Sequence, residues 1–380
     1  MNRRAFLGAA GALGIAAAAT PFLLHRRPIA GPGYRLFLGG DVHHGENYVR
    51  SGRRIAAQYG YDHSFTHVRP LIARAHYALV NMETPATSIE QSPLTGKHFL
   101  HRTHPEEAPA ALARHGIRAG GLANNHSMDY GAQGLLDTFA ALLRHRIRIF
   151  GAGRNLAEAE IPLTLRIPTA GERRQHVAVF GMFEYRADFD LAHNFYATPS
   201  RPGVAKIDVR RFEQLVRTYR DRFENLYVIA FPHWGKNYAW RTPEQRELGR
   251  GLIDAGADIV FGHHGHNFQE IERYRGKWIF YGIGNFIFNS FGRWTEFPTM
   301  PPYGLLVEMD FALDGSRNPI ARLYPILVDN PRTNYQPRIP EDREAMGALR
   351  RLLIRSELSL GRSDLDVARD ELGVHLQVTT

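Results

Sequence analysis

The stretch YRLFLGGDVHH, residues 34–44, sets the reading of the whole chain. Its apolar half, 34–38, reads as a buried strand, and it ends in two glycines followed by Asp41, His43 and His44. The same grammar returns four times. The run 77–80 (YALV) leads into Asn81-Met82-Glu83, and 117–122 (IRAGGL) leads into Asn124-Asn125-His126-Ser127-Met128-Asp129. The run 226–231 (LYVIAF) leads into Pro232-His233-Trp234-Gly235, and 257–261 (ADIVF) into Gly262-His263-His264-Gly265-His266. In open α/β sheets the carboxyl ends of strands converge on one crevice. Five segments distant in sequence can therefore bring Asp, Glu, Asn and His to one place. A lone His after a strand reads as a structural hydrogen-bonder and a lone Asp as a helix cap; five successive corners do not. His67, His76, His115 and His145 lie outside these corners and read as structural.

Two more apolar runs, 176–181 (HVAVFG) and 278–288 (WIFYGIGNFIF), also read as buried strands. Helical periodicity fills the intervals. Leu135, Leu136, Phe139, Leu142 and Leu143 line one face of 132–145, and Phe212, Leu215, Val216, Tyr219 and Phe223 do the same in 211–225. Thr242-Pro243-Glu244-Gln245 supplies an N-cap, a first-turn Pro and a capping-box Gln for a third helix, which should stop at Gly256. Strand–helix alternation of this kind predicts an α/β layered fold without internal repeats. Beyond about residue 330 the chain is Pro-rich to 340 and then amphipathic, with Met346, Leu349, Leu352 and Leu353 on one face. That tail reads as a helical extension packing on the domain, or as a partner-binding helix.

Length and composition bound the function. The chain has 380 residues, 44% hydrophobic and 22% charged, which is ordinary for a globular protein with a full core. It has no Cys, which excludes disulfides, zinc ribbons, iron–sulfur clusters, a cysteine nucleophile and a lipoprotein anchor. The formal charge is +9, but Arg3, Arg4, Arg26 and Arg27 sit in the first 30 residues, and no dense basic run with interleaved aromatics argues for nucleic acid. Only four of the basic residues are Lys, an Arg bias read as base composition. Residues 1–30 place Arg3-Arg4 before a small-residue apolar stretch, the pattern of a twin-arginine export signal or an uncleaved anchor. The expected location is the periplasm or the outer face of the cytoplasmic membrane, with membrane contact only through that segment.

Mixed Asp, Glu, Asn and His ligation without Cys suits Mn, Fe or Zn. Two such ions bridged by one carboxylate can hold a hydroxide at neutral pH and clamp a developing oxyanion. A His off the metals can protonate a leaving group, and an adjacent acid would raise its pKa and fix its ring. His126 with Asp129 three residues on fits that description. No GxSxG elbow, P-loop or HExxH is present, and Gly151-Ala152-Gly153 is too short for a dinucleotide fingerprint.

At these residues the sequence resembles the CapA family of poly-γ-glutamate capsule biosynthesis proteins, relatives of the calcineurin-like metallophosphoesterases. The resemblance runs over roughly 34–330. It rests on Gly40-Asp41, Asn81-Met82-Glu83-Thr84-Pro85, Leu122 to His126 with Asp129-Tyr130-Gly131, and Gly151 to Asn155 with Ala157-Glu158-Ala159. It continues through His233-Trp234-Gly235 with Tyr238, then Gly256-Ala257-Asp258, Gly262 to His266, and Gly284-Asn285-Phe286. It implies a four-layer α/β/β/α sandwich, the domain expected over 31–330, with the helical extension read from the tail over 331–380. Carried over by motif, Asp41 resembles a first-metal ligand and Glu83 the bridging carboxylate. Asn125 and His233 resemble second-metal ligands, His264 and His266 the closing pair, and His126 the general acid. His43 makes an Asp-x-His and is taken as a further ligand, with His44 as its competitor. Asn81, Asn124, Lys236, Tyr238, His263 and Asn285 are the expected substrate contacts. Gly265 stands where the family usually has Pro, and Lys236-Asn237 where an acidic residue is common.

Three functions follow as expectations: a metal-dependent hydrolase of an anionic envelope polymer or its γ-glutamyl linkages; a non-catalytic accessory to a membrane-bound polymer-synthesis complex; and a phosphoesterase on a small substrate.

Overall fold

The computed structural model describes residues 33–45, 58–169, 174–290, 292–314, 318–360 and 363–380. The leader, residues 1–30, lies outside them. In chain order the strands are β1 (Tyr34–His43), β2 (Tyr77–Met82), β3 (Ile117–Gly121), β4 (Arg148–Phe150), β5 (Ala152–Gly153), β6 (Leu163–Ile167), β7 (Gln175–Phe183), β8 (Gly203–Val204), β9 (Leu226–His233), β10 (Ile259–Phe261), β11 (Ile271–Tyr274), β12 (Lys277–Phe280), β13 (Asn285–Phe288), β14 (Tyr303–Phe311), β15 (Ile320–Leu327), β16 (Leu365–Arg369) and β17 (Val374–Thr379). The helices are α1 (Arg69–Ala73), α2 (Glu107–Arg114), α3 (Gly131–Arg144), α4 (Leu156–Ala159), α5 (Ala187–His193), α6 (Val209–Arg222), α7 (Pro243–Asp254), α8 (Asn330–Thr333) and α9 (Asp342–Arg355). None of the helices in the described residues is long and apolar enough to cross a membrane.

Two large sheets form. The first has the order β16-β17-β15-β14-β1-β2-β3-β4, with β13 also pairing to β1; the second runs β11-β12-β10-β9-β7-β6. Their facing sides share one core: Leu36, Leu38 and Leu79 from the first sheet pack with Val177, Val179, Ile229 and Phe261 from the second. The outer side of the first sheet (Phe37, Val80, Met82) packs on Leu112, Leu135 and Phe139 of α2 and α3. The outer side of the second (Phe180, Val228, Val260) packs on Phe212, Val216, Leu252 and Ile253 of α6 and α7. The fold is thus α/β/β/α in four layers. Strands buried on both sides read as continuous apolar runs, which is why the periodicity found them.

The expected local signals form as written. Thr242 caps α7 with both arms of its capping box, and α7 stops just before Gly256, whose φ is +105°. The run 278–288, expected as one strand, divides. β12 pairs with β10 in the second sheet, and β13 pairs with the far end of β1 in the first. The break falls at Gly282-Ile283-Gly284, with Gly284 at φ +67°.

The tail departs from the expected helical extension. α9 forms, but its apolar face (Ala345, Ala348, Leu349, Leu352, Leu353) belongs to the core between the sheets. β16 and β17 then extend the first sheet from β15. Their residues Leu365, Val367, Leu376 and Val378 alternate with polar ones, a period-two pattern that the helical reading passed over. Arg74 ties them in, reaching both Asp370 at 2.9 Å and Glu308 at 3.2 Å.

One close approach aligns the site. Asp41 N donates to Gly284 O at 3.0 Å, and a Cβ on Gly40 would stand 1.8 Å from the same oxygen. Gly40→Ala is therefore expected to cost about 2 kcal/mol by forcing β1 from β13. Chemical denaturation measures this; an unchanged midpoint would mean the two segments separate freely.

Candidate metal centre

The carboxyl ends of β1, β2, β3, β9 and β10 deliver their polar corners to one point. Three sets of close-lying potential ligand atoms form there: Asp41, His233 and His263; Glu83, His233 and His264; and Asp41, Glu83 and His266. All six residues are buried. His263 Nδ1 lies 3.3 Å from Asp41 Oδ1 and 2.8 Å from His233 Nδ1, while His233 Nε2 lies 3.6 Å from Glu83 Oε1. Asn125 Oδ1 sits 2.5 Å from His233 Nε2, so the expected Asn125 joins the group.

Glu83 is the anomaly that gives the cluster meaning. It has no solvent exposure, and neither carboxylate oxygen has a hydrogen-bond partner. Burial and then the charge of Asp41 push its carboxyl well above the usual range. Leaving a buried carboxylate bare costs several kcal/mol. A divalent cation removes that cost, because it supplies the opposite charge and takes the lone pairs. The histidines agree. Burial first, then neighbouring positive charge, holds His233 and His264 well below the usual imidazole range, which keeps them in the neutral, ligating form. The donor set therefore fits a metal ion.

Backbone geometry adds a second signature. His264 and His266 have φ of +97° and +63°, in the left-handed region that residues with a Cβ avoid. Gly265 between them would bring a Cβ to 3.0 Å from Gln269 Nε2, so the strained turn packs tightly on β10's far loop. His264 N donates to Asp41 Oδ2 at 2.9 Å, and His266 Nδ1 lies 2.9 Å from Asn285 Oδ1.

Several expected roles move. Asn81 and Asn124, expected as substrate contacts, are buried and spent on scaffolding. Asn81 Nδ2 donates to Asp41 Oδ1 at 2.8 Å, and Asn124 Nδ2 donates to Asn81 Oδ1 and Met82 O. Asn124 Oδ1 accepts from His126 N and Ser127 N, which folds the corner after β3. Asn285 orients His266 in the same way. His263, also expected at the substrate, stands among the candidate ligands. His43 lies outside the close-set groups: its Nδ1 is 2.7 Å from Thr84 Oγ1 and 2.8 Å from His101 Nδ1. His44 faces away, edge-on to Tyr61. Tyr238 and Lys236 line the cleft over the cluster, Tyr238 stacked on Phe297.

His126 and Asp129 do form a pair, with Nδ1 and Oδ2 2.6 Å apart, and His126 Nε2 lies 3.9 Å from Glu83 Oε1. The expected rise in the His126 pKa is reversed. Burial and the Lys97 charge hold it well below the usual range. Burial is the larger cause, and a residue the sequence reading missed adds to it. Lys97 Nζ lies 2.7 Å from Asp129 Oδ1 and 3.3 Å from His126 Nδ1, so it offsets the acid that should have favoured imidazolium. His101 was also missed; its backbone N donates to Asp129 Oδ2 at 2.7 Å. Both stand in the aperiodic segment between β2 and α2. The one available signal was scarcity, since a nearly buried Lys is conspicuous in a chain with four. Arg186 is a third addition, with Nη2 2.6 Å from Gly235 O and 3.1 Å from His264 Nε2.

Two outcomes follow. In chelator, Glu83→Gln is expected to be at least as stable as the wild type, because a bare buried charge is gone. Added Mn or Zn should raise the melting temperature of the wild type and not of the variant. Lys97→Met should cost about 3 kcal/mol, since it strands Asp129 beside His126; denaturant unfolding within error of the wild type would contradict this.

Comparison with known proteins gives the family. A protein of Bacillus subtilis named PGA biosynthesis protein CapA is 31% identical over 258 residues, covering 68% of this chain and 63% of its own. Capsule biosynthesis protein CapA of Bacillus anthracis is 29% identical over 251 residues, covering 65% and 58%. The match thus spans less than two thirds of either relative. A solved phosphatase from Mycoplasma pneumoniae superposes with a TM-score of 0.42 at 13% identity, over 79% of this chain and 96% of its own, a likeness too distant to carry a conclusion. Residues 35–290 match the profile of the family described as bacterial capsule synthesis protein PGA_cap. With that match running from the start of β1 past the end of β13, the chain belongs to the bacterial capsule synthesis protein family.

Proposed function

We propose that this chain is a hydrolase with two divalent ions, Mn, Fe or Zn, that acts on amide linkages of an anionic capsule-type polymer such as poly-γ-glutamate. The observation that carries the reading is Glu83, bare and buried between Asp41 on one side and His233, His264 and His266 on the other. Bound ions would supply Lewis-acid polarisation of the scissile carbonyl and a nucleophilic water at neutral pH. Asp41, Glu83, Asn125, His233, His263, His264 and His266 supply the donors for them.

The remaining residues handle the proton and the shape. Asp129 accepts from His126 Nδ1, which leaves the neutral ring's Nε2 bare, the atom suited to take a proton from the attacking water and pass it to the leaving amine. Lys97 and the His101 amide hold Asp129 in place from its other side. Asn81, Asn124 and Asn285 fix the candidate ligands without touching substrate. Paired Arg3-Arg4 supports action outside the cytoplasmic membrane after export of the folded protein. The cationic surplus that remains when residues 1–30 are set aside favours a second reading, a non-catalytic polymer-binding accessory of a membrane-bound synthesis complex.

The test is turnover by purified protein loaded with Mn, Fe or Zn, on poly-γ-glutamate and on a panel of phosphoesters. The expected result is metal-dependent cleavage of the polymer, reduced roughly 10²–10⁴-fold in kcat by His126→Gln. Cleavage of phosphoesters alone would replace the substrate class, and binding without any cleavage would select the accessory reading.

A further inference from the structure

Two arms of one cleft reach the ligand cluster from different sides. The first, about 530 Å³, passes His43, His126 and His266 and is walled by residues 96–101, α5 and the segment after β13. The second, about 520 Å³, passes His264 and is walled by residues 184–186, 235–237 and the start of α7. Both are lined by Asn125 and Asn237, so they meet over the cluster. The partition between them is slight, because α5 buries none of its residues and its N-cap Arg186 faces the second arm. Each arm opens to solvent. Phe99 is 65% exposed at the mouth of the first, and Tyr185 is 46% exposed at the second, beside the exposed Lys236 and Glu244.

The chemistry of the two arms differs. The first is lined by Lys97, Arg293, His98, His193 and Asp188 and by the rings of Phe99 and Phe189; Lys97 is already paired with Asp129 at 2.7 Å and Arg293 with Glu296 at 2.9 Å. The second balances Arg186 and Lys236 against Glu184 and Glu244, and Glu184 is already spent on Gly235 N at 3.0 Å and Arg186. Lys236 is left exposed in that arm, with Glu244 as the acid it acts on. A site built for a chain terminus closes behind the terminal unit. Here an extended chain that enters past Phe99 finds an exit past Lys236.

We propose that the cleft holds a linear anionic chain across the ligand cluster, with units seated in both arms, so that internal linkages and not chain ends are placed at the centre. This rests on the hydrolase reading for what happens to the linkage, though not for how the chain is bound.

The experiment uses oligo-γ-glutamates of graded length, with free ends or with the amino end acetylated and the carboxyl end amidated. Binding to Mn-loaded protein carrying His126→Gln is read by fluorescence anisotropy, and products by mass spectrometry with the wild type. Blocked oligomers should bind within about twofold of free ones, and affinity should rise with length until both arms are filled. Phe99→Ala in one arm and Lys236→Ala in the other, both at exposed positions, should each weaken the longest oligomers about tenfold, near the loss of one good contact. Short oligomers should respond to only one of the two. The proposal is overturned if blocking either end costs tenfold or more, if one arm's substitution is silent at every length, or if no oligomer binds. Two-armed binding without wild-type cleavage would sustain this proposal and end the hydrolase reading. Cleavage confined to terminal units would do the reverse.

Discussion

A carboxylate without a partner is the constraint around which this molecule is arranged. Glu83 stands on the last turn of chain out of β2, shielded from water, with Asp41 close enough to raise its pKa and imidazoles that burial keeps neutral. Of the charges around it only that of Lys97 opposes the rise, and burial outweighs it. Folded proteins hold only about 5–15 kcal/mol in reserve, so a bare buried acid is a large debit. It is reasonable only where a cation belongs.

The surrounding structure supports that point. Parallel strands end together, so five corners converge without any loop having to reach far. Gly40 lets β1 touch the Gly284 turn, which sets Asp41 and Asn285 side by side. Buried asparagines aim the donors, and the left-handed His264 and His266 show backbone strain concentrated at the same spot. Beyond these, Asp129 holds His126, and Lys97 holds Asp129. The cleft arms then lie on either side, one basic and aromatic, the other mixed.

Much of this was legible in the sequence because burial on both faces makes continuous apolar runs, and each run announced its end with a polar corner. Asp41, Glu83, Asn125, His233, His264 and His266 stand at such corners, and the structure brings them close together. What escaped followed other physics. β16 and β17 alternate polar and apolar beside a strongly amphipathic helix, and the helix dominated the reading of the tail. The run 278–288 looked like one strand because both of its halves are buried, although they serve different sheets. Lys97 and His101 lie in a segment without period, and their roles come from tertiary contacts with Asp129 that no local pattern encodes. For the same reason His126 was expected to be easily protonated. The acid three residues away was visible; the burial of the ring and the lysine beside it were not. Asn81 and Asn124 were read as substrate contacts because their type suits that role; only their burial shows that their amides are spent on the scaffold.

Under the proposed hydrolase reading, such a centre would cut polymer chains. That account stands on metal occupancy. The most direct measurement is anomalous diffraction from crystals grown with Mn. Two peaks are predicted, both within bonding distance of Glu83, one toward Asp41 and one toward Asn125 and His233. No peak at Glu83, or ions bound only at the surface, would contradict it.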